Sequence, residues 1–236
     1  MAFRRNPPLP PLTIITLDGG AASGKSSVSS RLAVRLGVPY ISTGLFYRAV
    51  TVAALEQHLN LSDETMMAAL LEQHTLTLEP RGNDNRVCWD GIDITTKLHT
   101  SEVDTNVSEV SKHPAVREWV KNTLRTLEPP FVAEGRDMGR IVFPEARFKF
   151  YLVASPRVRA ERRAGERPED VAQIEAALLE RDLLDAEQSK AASDATQIDT
   201  SALGLEQVVE HIVSQIEKTA LEHNQEHTLE SKKEGA

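Results

Sequence analysis

Residues 19–26 read Gly-Gly-Ala-Ala-Ser-Gly-Lys-Ser, which matches the G-x-x-x-x-G-K-[ST] pattern of a phosphate-binding loop. Small residues let a backbone wrap a polyphosphate, so that successive N–H groups and a helix N-terminus point at the anion. Lys25 would reach the β- and γ-phosphates, and the Ser26 hydroxyl would ligate Mg²⁺. The alternative, a glycine-rich turn with a solvated lysine, is far less common between a strand and a helix. We therefore predict a nucleoside triphosphate site at Gly19, Gly20, Ala21, Ala22, Ser23, Gly24, Lys25, Ser26 and Ser27.

Two arginines follow predicted strands and are candidates for facing this loop. Arg48 comes shortly after Thr43, about one turn inside a predicted helix, and Arg136 follows a buried apolar run. Ligands of open α/β sheets bind at the carboxyl ends of the strands. Taken singly, each arginine has a surface ion pair as its default interpretation. Their joint placement after successive strands favours a second anion site opposite the triphosphate.

A dense group of arginines comes later in the chain. These arginines predict a lid over residues 156–168. A lid of this kind would cover bound nucleotides and neutralise the charge of a phosphoryl group during its transfer. A solvated helix face, balanced by Glu161 and Glu166, explains the charge pattern equally well. The group consists of Arg157, Arg159, Arg162, Arg163 and Arg167.

Short apolar runs that alternate with amphipathic segments must position these residues. Because strands alternate with helices, we expect an α/β three-layer sandwich built on a parallel five-stranded sheet. Strands are predicted at residues 12–17, 38–41, 131–134, 148–153 and 197–199. Helices are predicted at residues 26–36, 45–59, 62–73, 102–111, 114–127, 168–187 and 205–221, with Ser62 as the N-cap of the third.

Residues 75–94 have a different pattern from the rest of the chain. Residues 75–78 alternate with period two, residues 82–85 are typical of a turn, and residues 86–89 are typical of another strand. Asp90 and Gly91 then give a hairpin signal before residues 92–94. We expect a small antiparallel insert here.

The composition is that of an ordinary globular protein, which excludes collagen-like, disordered and disulfide-rich classes. The chain has 236 residues, of which 40% are hydrophobic and 26% charged, with a formal net charge of −8. Its single thiol, Cys88, cannot form an intrachain disulfide, and no apolar run approaches the roughly 20 residues of a membrane span. We therefore expect a cytoplasmic protein, with neither nucleic acid nor a membrane as partner because of the negative charge.

The chain ends differ from the body of the sequence. Residues 1–11 contain several prolines and predict a flexible arm, and residues 223–236, rich in Glu, Lys and His, predict a flexible tail. Residues 12–222 are left as one domain, in which no long exposed apolar stripe is evident. A monomer is therefore expected.

Other classes of nucleotide-binding protein fit the sequence less well. A switch GTPase would carry an Asn/Thr-Lys-x-Asp motif, but Thr96-Lys97 is followed by Leu98-His99. Transport and helicase ATPases show an acidic strand end, whereas residues 152–155 end without one. A small-molecule kinase remains.

Five segments make the chain resemble a known family. They are Asp-Gly-Gly-Ala-Ala-Ser-Gly-Lys-Ser at 18–26, Ser-Thr-Gly-Leu-Phe-Tyr-Arg at 42–48, Val-Ser-Lys-His-Pro-Ala-Val-Arg at 110–117, Ala-Glu-Gly-Arg-Asp-Met-Gly-Arg-Ile-Val-Phe-Pro at 133–144, and Glu-Arg-Asp at 180–182 with Asp185. In order and spacing they resemble the bacterial-type cytidylate kinases, nucleoside monophosphate (NMP) kinases that phosphorylate CMP and dCMP with ATP. The resemblance extends from about residue 12 to residue 216.

This resemblance implies a P-loop NMP-kinase-like fold, with residues 62–112 as the NMP-binding insert and residues 156–168 as the lid. It implies transfer of the γ-phosphoryl group of ATP to CMP or dCMP, with Mg²⁺ as cofactor and no covalent intermediate. The acceptor phosphate is already an oxygen nucleophile, so catalysis rests on positioning and charge neutralisation.

The resemblance also assigns roles to individual residues. Arg48, Arg136 and Thr43 match the acceptor-phosphate site, and Ser108, Arg117 and Asp137 match residues that read cytosine. Arg181 and Asp185 match residues near sugar and phosphate, although an ordinary intrahelical ion pair is an alternative for them. The predicted catalytic residues are Lys25, Arg136, Arg181 and Arg162, with Ser26 as metal ligand.

Three positions depart from the family's usual pattern. Ser42 stands where an acidic residue is common, and Leu184 and Gln188 stand where arginines are common. Either Lys190 or a lid arginine replaces the missing charge, or CMP binds more weakly. A kinase of another small acceptor such as UMP and a non-catalytic ATP-binding regulatory module stay open as alternatives.

Overall fold

Short runs of β-branched and aromatic residues form the strands of the protein. The computed structural model describes residues 13–81, 84–165, 170–186 and 188–234. The strands are β1 (Ile14–Gly19), β2 (Tyr40–Ser42), β3 (Leu76–Arg81), β4 (Asp84–Trp89), β5 (Ile92–Asp93), β6 (Phe131–Gly135), β7 (Phe148–Val153) and β8 (Thr196–Asp199). The helices are α1 (Lys25–Leu36), α2 (Gly44–Glu56), α3 (Glu64–Gln73), α4 (Ser101–Val110), α5 (Pro114–Arg125), α6 (Pro156–Ala164), α7 (Val171–Leu184) and α8 (Leu205–Glu234).

The main sheet has five parallel strands, as predicted, and the structure shows their order to be β2-β6-β1-β7-β8. Asp18 at the end of β1 lies opposite Gly135, and Ser42 at the end of β2 lies opposite Glu134. Parallel strands bring their carboxyl ends to one edge of the sheet. The segments that follow β1, β2 and β6 therefore meet there, although they are far apart in the sequence.

Helices cover both faces of this sheet, because successive residues of a strand point to opposite sides. In β6, Phe131 and Ala133 pack into a core with α2, α3 and α5, whereas Val132 packs into a second core with α1 and α8. Both cores are built from aliphatic and aromatic side chains, and residues such as Phe46 and Ile212 are fully buried. The three-layer arrangement follows from apolar residues on both sides of the strands.

The predicted antiparallel insert is confirmed, with strand order β3-β4-β5. The prediction of a turn at residues 82–85 is wrong for its second half, because Asp84 and Asn85 begin β4, while residues 82–83 lie outside the described residues. Asn85 is buried, where its amide donates to Tyr40 O at 2.6 Å and accepts from Ser42 N at 2.9 Å. These bonds join the insert to edge strand β2 and offset the poor strand propensity of asparagine.

Helix ends differ from several predictions. Asp63, not Ser62, caps α3, because its carboxylate accepts from the backbone N–H groups of Thr65 and Met66. The second helix stops at Glu56 rather than at residue 59, and His58 beyond it has a positive φ of 54°. The helix predicted at residues 168–187 is the shorter α7, capped by Asp170.

The last helix is longer than predicted. It continues to Glu234 instead of ending at residue 221, and so runs through most of the segment predicted to be a flexible tail. Glu, Lys and Leu are strong helix formers, and no glycine or proline interrupts the segment before Gly235. The arm at residues 1–11 and the lid residues 166–168 lie outside the described residues. Over the described part of the chain, we find no helix with both the length and the apolar character needed to span a bilayer.

Candidate active site

A cavity of about 790 Å³ opens beside the carboxyl ends of β1, β2 and β6. It brings together all the predicted site residues except Gly19 and Gly20, which do not line it. On the phosphate-loop side the lining includes Ala21, Ala22, Ser23, Gly24, Lys25, Ser26 and Ser27. On the opposite side it includes Thr43, Arg48, Ser108, Arg117, Arg136, Asp137, Arg181 and Asp185, whereas Arg162 lines it next to the phosphate loop, with its guanidinium 3.4 Å from Ser23 O.

The phosphate loop connects β1 to α1, where its backbone geometry requires small residues. A Cβ atom on Gly19 would lie 2.5 Å from Leu152 O and 2.9 Å from Ser23 Oγ. Gly24 adopts a left-handed conformation, with φ of 87°, just before α1 begins at Lys25. Gly19 therefore supports the loop from behind, while the residues after Gly20 face the cavity.

Lys25 reaches back over the loop, where its Nζ donates to Gly20 O at 3.1 Å. Burial lowers the pKa of Lys25, and the nearby Glu134 carboxylate opposes this shift. A partly desolvated amine next to the backbone of the phosphate loop is well placed to bind an anionic ligand. Ser26, the next residue, is exposed to the cavity.

Glu134 at the end of β6 is a site residue to which the sequence analysis assigned no role. Its carboxylate is buried, accepts from Ser42 Oγ at 2.6 Å and lines the cavity. An acidic residue at the end of a buried strand is the feature of transport and helicase ATPases that the sequence lacks at residues 152–155. The structure places that signal on β6, directly beside β1.

The acceptor-side arginines are each held by a carboxylate. Arg48 of α2 donates to Asp104 Oδ1 at 2.7 Å, and Arg136 pairs with Asp185 at 2.9 Å. Arg181 of α7 lies 3.7 Å from the same Asp185, which confirms an i,i+4 neighbour relation on one helix face. Burial and then the positive charge of Arg136 lower the pKa of Arg181. The positive charge of these three arginines is therefore partly balanced by two aspartates.

The far end of the cavity contains the residues predicted to read a base. Arg117 of α5 donates to Asp137 Oδ2 at 2.5 Å and to Gln188 Oε1 at 3.0 Å, and its guanidinium lies 5.9 Å from the Tyr47 ring centroid. Burial raises the pKa of Asp137, while the Arg117 charge opposes the shift. Ser108 is exposed on α4 and borders the same space.

The arginine-rich segment divides into separate environments. Arg159 is buried and donates to Asp182 and to Ala21 O, so it fastens α6 and α7 to the phosphate loop. Arg162 borders the cavity, but its guanidinium donates to Thr200 O and Thr200 Oγ1. Arg157 is 57% exposed and pairs with Glu161, as a solvated helix face would. The solvated-face interpretation therefore fits Arg157, whereas Arg162 and Arg163 line the cavity and their role as lid residues stays a prediction.

Asp18 joins the two sides of the site. Its carboxylate accepts from the backbone N–H groups of Met138 and Gly139, both at 2.8 Å. These residues begin the π-helical turn Met138–Val142, directly after Arg136 and Asp137. Burial raises the pKa of Asp18 to about 6. The end of β1 thus fixes the loop that carries the acceptor-side residues.

The fold and this cavity define a P-loop kinase, in which a phosphate-binding loop faces an arginine-lined wall of the same cavity. The family model described as Cytidylate kinase matches residues 15–218, and the chain belongs to the cytidylate kinase family.

Two relatives with the same family name match this chain along most of their length. A cytidylate kinase of Deinococcus deserti is 58% identical over 204 residues, which cover 86% of this chain and 98% of the relative. A cytidylate kinase of Thermus thermophilus is 50% identical over 205 residues, which cover 87% and 99%. A solved shikimate kinase from Bacteroides thetaiotaomicron is similar with a TM-score of 0.44 at 14% identity, over 88% of this chain and 98% of that chain.

Proposed function

We propose that this protein transfers the γ-phosphoryl group of ATP to CMP or dCMP and releases ADP with CDP or dCDP. One observation carries the proposal: a single cavity contains the phosphate loop on one side and the acceptor-side arginines with the Arg117–Asp137 pair on the other. Membership of the cytidylate kinase family supports it.

The charge distribution of the cavity supports direct in-line transfer. The acceptor phosphate oxygen is itself the nucleophile, so no general base is needed. Arg48 and Arg136 would hold that phosphate, while Lys25 and the N-terminus of α1 would hold the triphosphate. Arg181, beside Arg136 and the phosphate loop, would stabilise the charge that spreads over the phosphoryl group in transit.

Choice of the base would depend on Asp137. Cytosine carries an N4 amine that donates, so an ionised carboxylate held by Arg117 is a suitable acceptor. Uracil carries a carbonyl at that position, which would leave the Asp137 oxygen that faces the base without a donor from the ligand. Ser108 borders the same space and is proposed to contact the base as well.

Magnesium is the cofactor we propose, with Ser26 and Glu134 as the residues that would hold it. Mg²⁺ prefers oxygen ligands, and in kinases it takes most of them from phosphates and water. Within the described residues no group of three or more His, Cys, Asp or Glu forms a ready cage. One hydroxyl and one carboxylate in the cavity fit an ion that binds together with ATP. When bound, Mg²⁺ would neutralise negative charge on the phosphates.

An acceptor screen tests the proposed function. ADP release from ATP and Mg²⁺ is measured with CMP, dCMP, UMP, AMP, GMP or a sugar acid, and without acceptor. CMP and dCMP should give the highest kcat/KM. Equal turnover of AMP would contradict the base contacts assigned to Asp137 and Arg117. ATP binding without acceptor-dependent ADP release would instead favour a regulatory module.

A further inference from the structure

Arg48, one of the two arginines proposed to hold the acceptor phosphate, is anchored twice by the insert. Its Nη1 donates to Leu98 O and its Nη2 to Asp104 Oδ1, both at 2.7 Å. Leu98 follows the 3-10 turn Thr95–Lys97, and Asp104 lies in α4. Both anchors therefore come from residues 62–112, the segment expected to form the NMP-binding insert, whereas Arg48 belongs to α2, which precedes it.

Asp104 borders the same cavity as Arg48 but has no role in the proposed reaction so far. The other two carboxylates at this end, Asp137 and Asp185, are already assigned to base or sugar and phosphate. Asp104 stands four residues before Ser108, so both lie on the cavity-facing side of α4. The side chains of Arg48 and Asp104 are 21% and 23% exposed, so water only partly screens their ion pair.

The geometry leaves Arg48 able to bind an anion while it keeps both anchors. A guanidinium carries five N–H donors in a rigid fork, and the two bonds to Leu98 O and Asp104 Oδ1 engage one on each Nη. An arginine that is already held in place loses less rotamer freedom when a phosphate arrives. The negative charge of Asp104 opposes this gain by repelling the phosphate, but the Arg48 guanidinium neutralises much of it.

We propose that Asp104 is a positioning residue for the acceptor: it holds the Arg48 guanidinium so that its remaining N–H groups meet the phosphate of the nucleoside monophosphate. This inference rests on the proposed function, since it assigns Arg48 to the acceptor phosphate. It also means that the insert acts on the acceptor phosphate by holding Arg48, rather than by contacting the phosphate directly.

The test compares Asp104→Ala and Asp104→Asn with the full-length wild-type protein. Steady-state kinetics with ATP, Mg²⁺ and CMP give kcat, KM for CMP and KM for ATP, and thermal unfolding reports stability. Asp104→Ala should raise KM for CMP by about tenfold and leave kcat and KM for ATP within about twofold, because a uniform binding contact to the acceptor is weakened. Asp104→Asn keeps an oxygen that accepts from Arg48 and should recover most of the loss.

Asp93→Ala is the matched control. Asp93 lies in the same insert and also pairs with an arginine, Arg86, at 2.8 Å, but it does not border the cavity. Its loss removes this ion pair and the bonds that Asp93 Oδ1 accepts from Thr95, so it should lower thermal stability but leave KM for CMP unchanged. A similar rise of KM in both variants would mean that the insert is merely loosened, and would overturn the proposal.

Other results of the Asp104→Ala kinetics would lead to different conclusions. A lower KM for CMP in Asp104→Ala would show that the carboxylate competes with the phosphate for Arg48, which also overturns it. In an Arg48→Ala background, Asp104→Ala should add no further rise of KM for CMP, because the two residues act through one contact.

If the wild-type protein phosphorylates no nucleoside monophosphate, the proposed function fails and this inference with it. If CMP is phosphorylated and KM is unaffected by Asp104→Ala, only this inference fails.

Discussion

The two sides of the cavity are built in opposite ways. The donor side is one continuous segment, residues 19–27, in which backbone groups, glycines and the start of α1 do most of the positioning. The acceptor side is assembled from single side chains of α2, α4, α5, α7 and the segment after β6. A triphosphate can therefore be recognised by local geometry, whereas recognition of a particular acceptor requires the whole tertiary structure.

The two sides also differ in how their positive charge is held before substrates bind. On the donor side, Lys25 bonds only to a carbonyl, Gly20 O, among the contacts described, and burial lowers its pKa. On the acceptor side, Arg48, Arg117 and Arg136 are each paired with an aspartate. An acceptor anion must join or replace an existing partner, so loss of one acceptor-side residue should change selectivity and KM more than loss of the lysine does.

The largest effect is expected from Lys25→Ala. Removal of a preorganised charge at the transferred phosphate should lower kcat by a factor of hundreds, or about 3–4 kcal/mol. Steady-state ADP release measures it, and Lys97→Ala, which breaks an exposed pair with Glu56, serves as control and should be silent. Near-wild-type turnover of Lys25→Ala would remove the proposed role of this lysine.

Gly19→Ala should destabilise the protein by about 3 kcal/mol, because the new Cβ would overlap the Leu152 carbonyl and force the backbone to move. Urea unfolding measures the free energy. Gly44→Ala is the comparison, since its Cβ would meet no atom within 4 Å at the start of α2. If the two variants were equally stable, the phosphate loop would not require a glycine at position 19, and this prediction would be wrong.

Asp18, which ties the donor strand to the acceptor loop, should make stability depend on pH. Burial raises its pKa from 3.8 to about 6, so the folded state binds this proton more tightly than the unfolded state. Its contribution is therefore present below about pH 4 and lost as pH rises through about 6, by about 3 kcal/mol. Urea unfolding of wild type and Asp18→Asn between pH 4 and 7.5 isolates this change. A constant difference between the two proteins would contradict it.

Asp137→Asn should reduce the preference for CMP over UMP by about tenfold, or about 1.4 kcal/mol, because an amide can face either the amine or the carbonyl. The ratio of kcat/KM for the two acceptors is the measurement. KM for ATP should stay the same, since the change is on the acceptor side only. Unchanged selectivity would argue against direct reading of the base by this residue.

The smallest effect is expected from Arg157→Ala. This side chain is 57% exposed and pairs with Glu161 on the same helix, so its loss should leave stability almost unchanged. Activity should change less than twofold. A tenfold loss of kcat would show that Arg157 reaches the nucleotides when the site closes, and would extend the acceptor side to the exposed face of α6.

Much of the fold was predictable because its signals are local. At residues 12–36 a run of β-branched residues is followed by small residues and then by apolar residues at every fourth position. These are the patterns of a strand, a loop and a helix, and the structure has β1 and α1 there. The antiparallel insert was likewise visible from period-two alternation and the Asp90-Gly91 turn. The prediction at Asn85 was wrong because a side chain acts at a distance: its bonds to β2 keep it in a strand, whereas the errors at helix ends, such as the Asp63 cap, have local causes.

Among the site residues, Glu134, Asp104 and Gln188 show what the sequence left open. The analysis had noted Gln188 only as a missing positive charge, but in the structure it accepts a hydrogen bond from Arg117. Asp104 has nothing in its spacing that connects it to Arg48, which lies on a separate helix. Glu134 carried a usable signal, an acidic strand end, but its relation to the phosphate loop depends on the order of strands in the sheet.

The amino-acid sequence alone determined the phosphate loop, the alternation of strands and helices, and the supply of arginines and aspartates. A loop of this kind needs only neighbouring residues with the right backbone freedom, so its chemistry can be read along the chain. Tertiary structure decided which arginine meets which aspartate and which of them face the cavity, because those pairs join residues that parallel strand order brings together from distant parts of the chain.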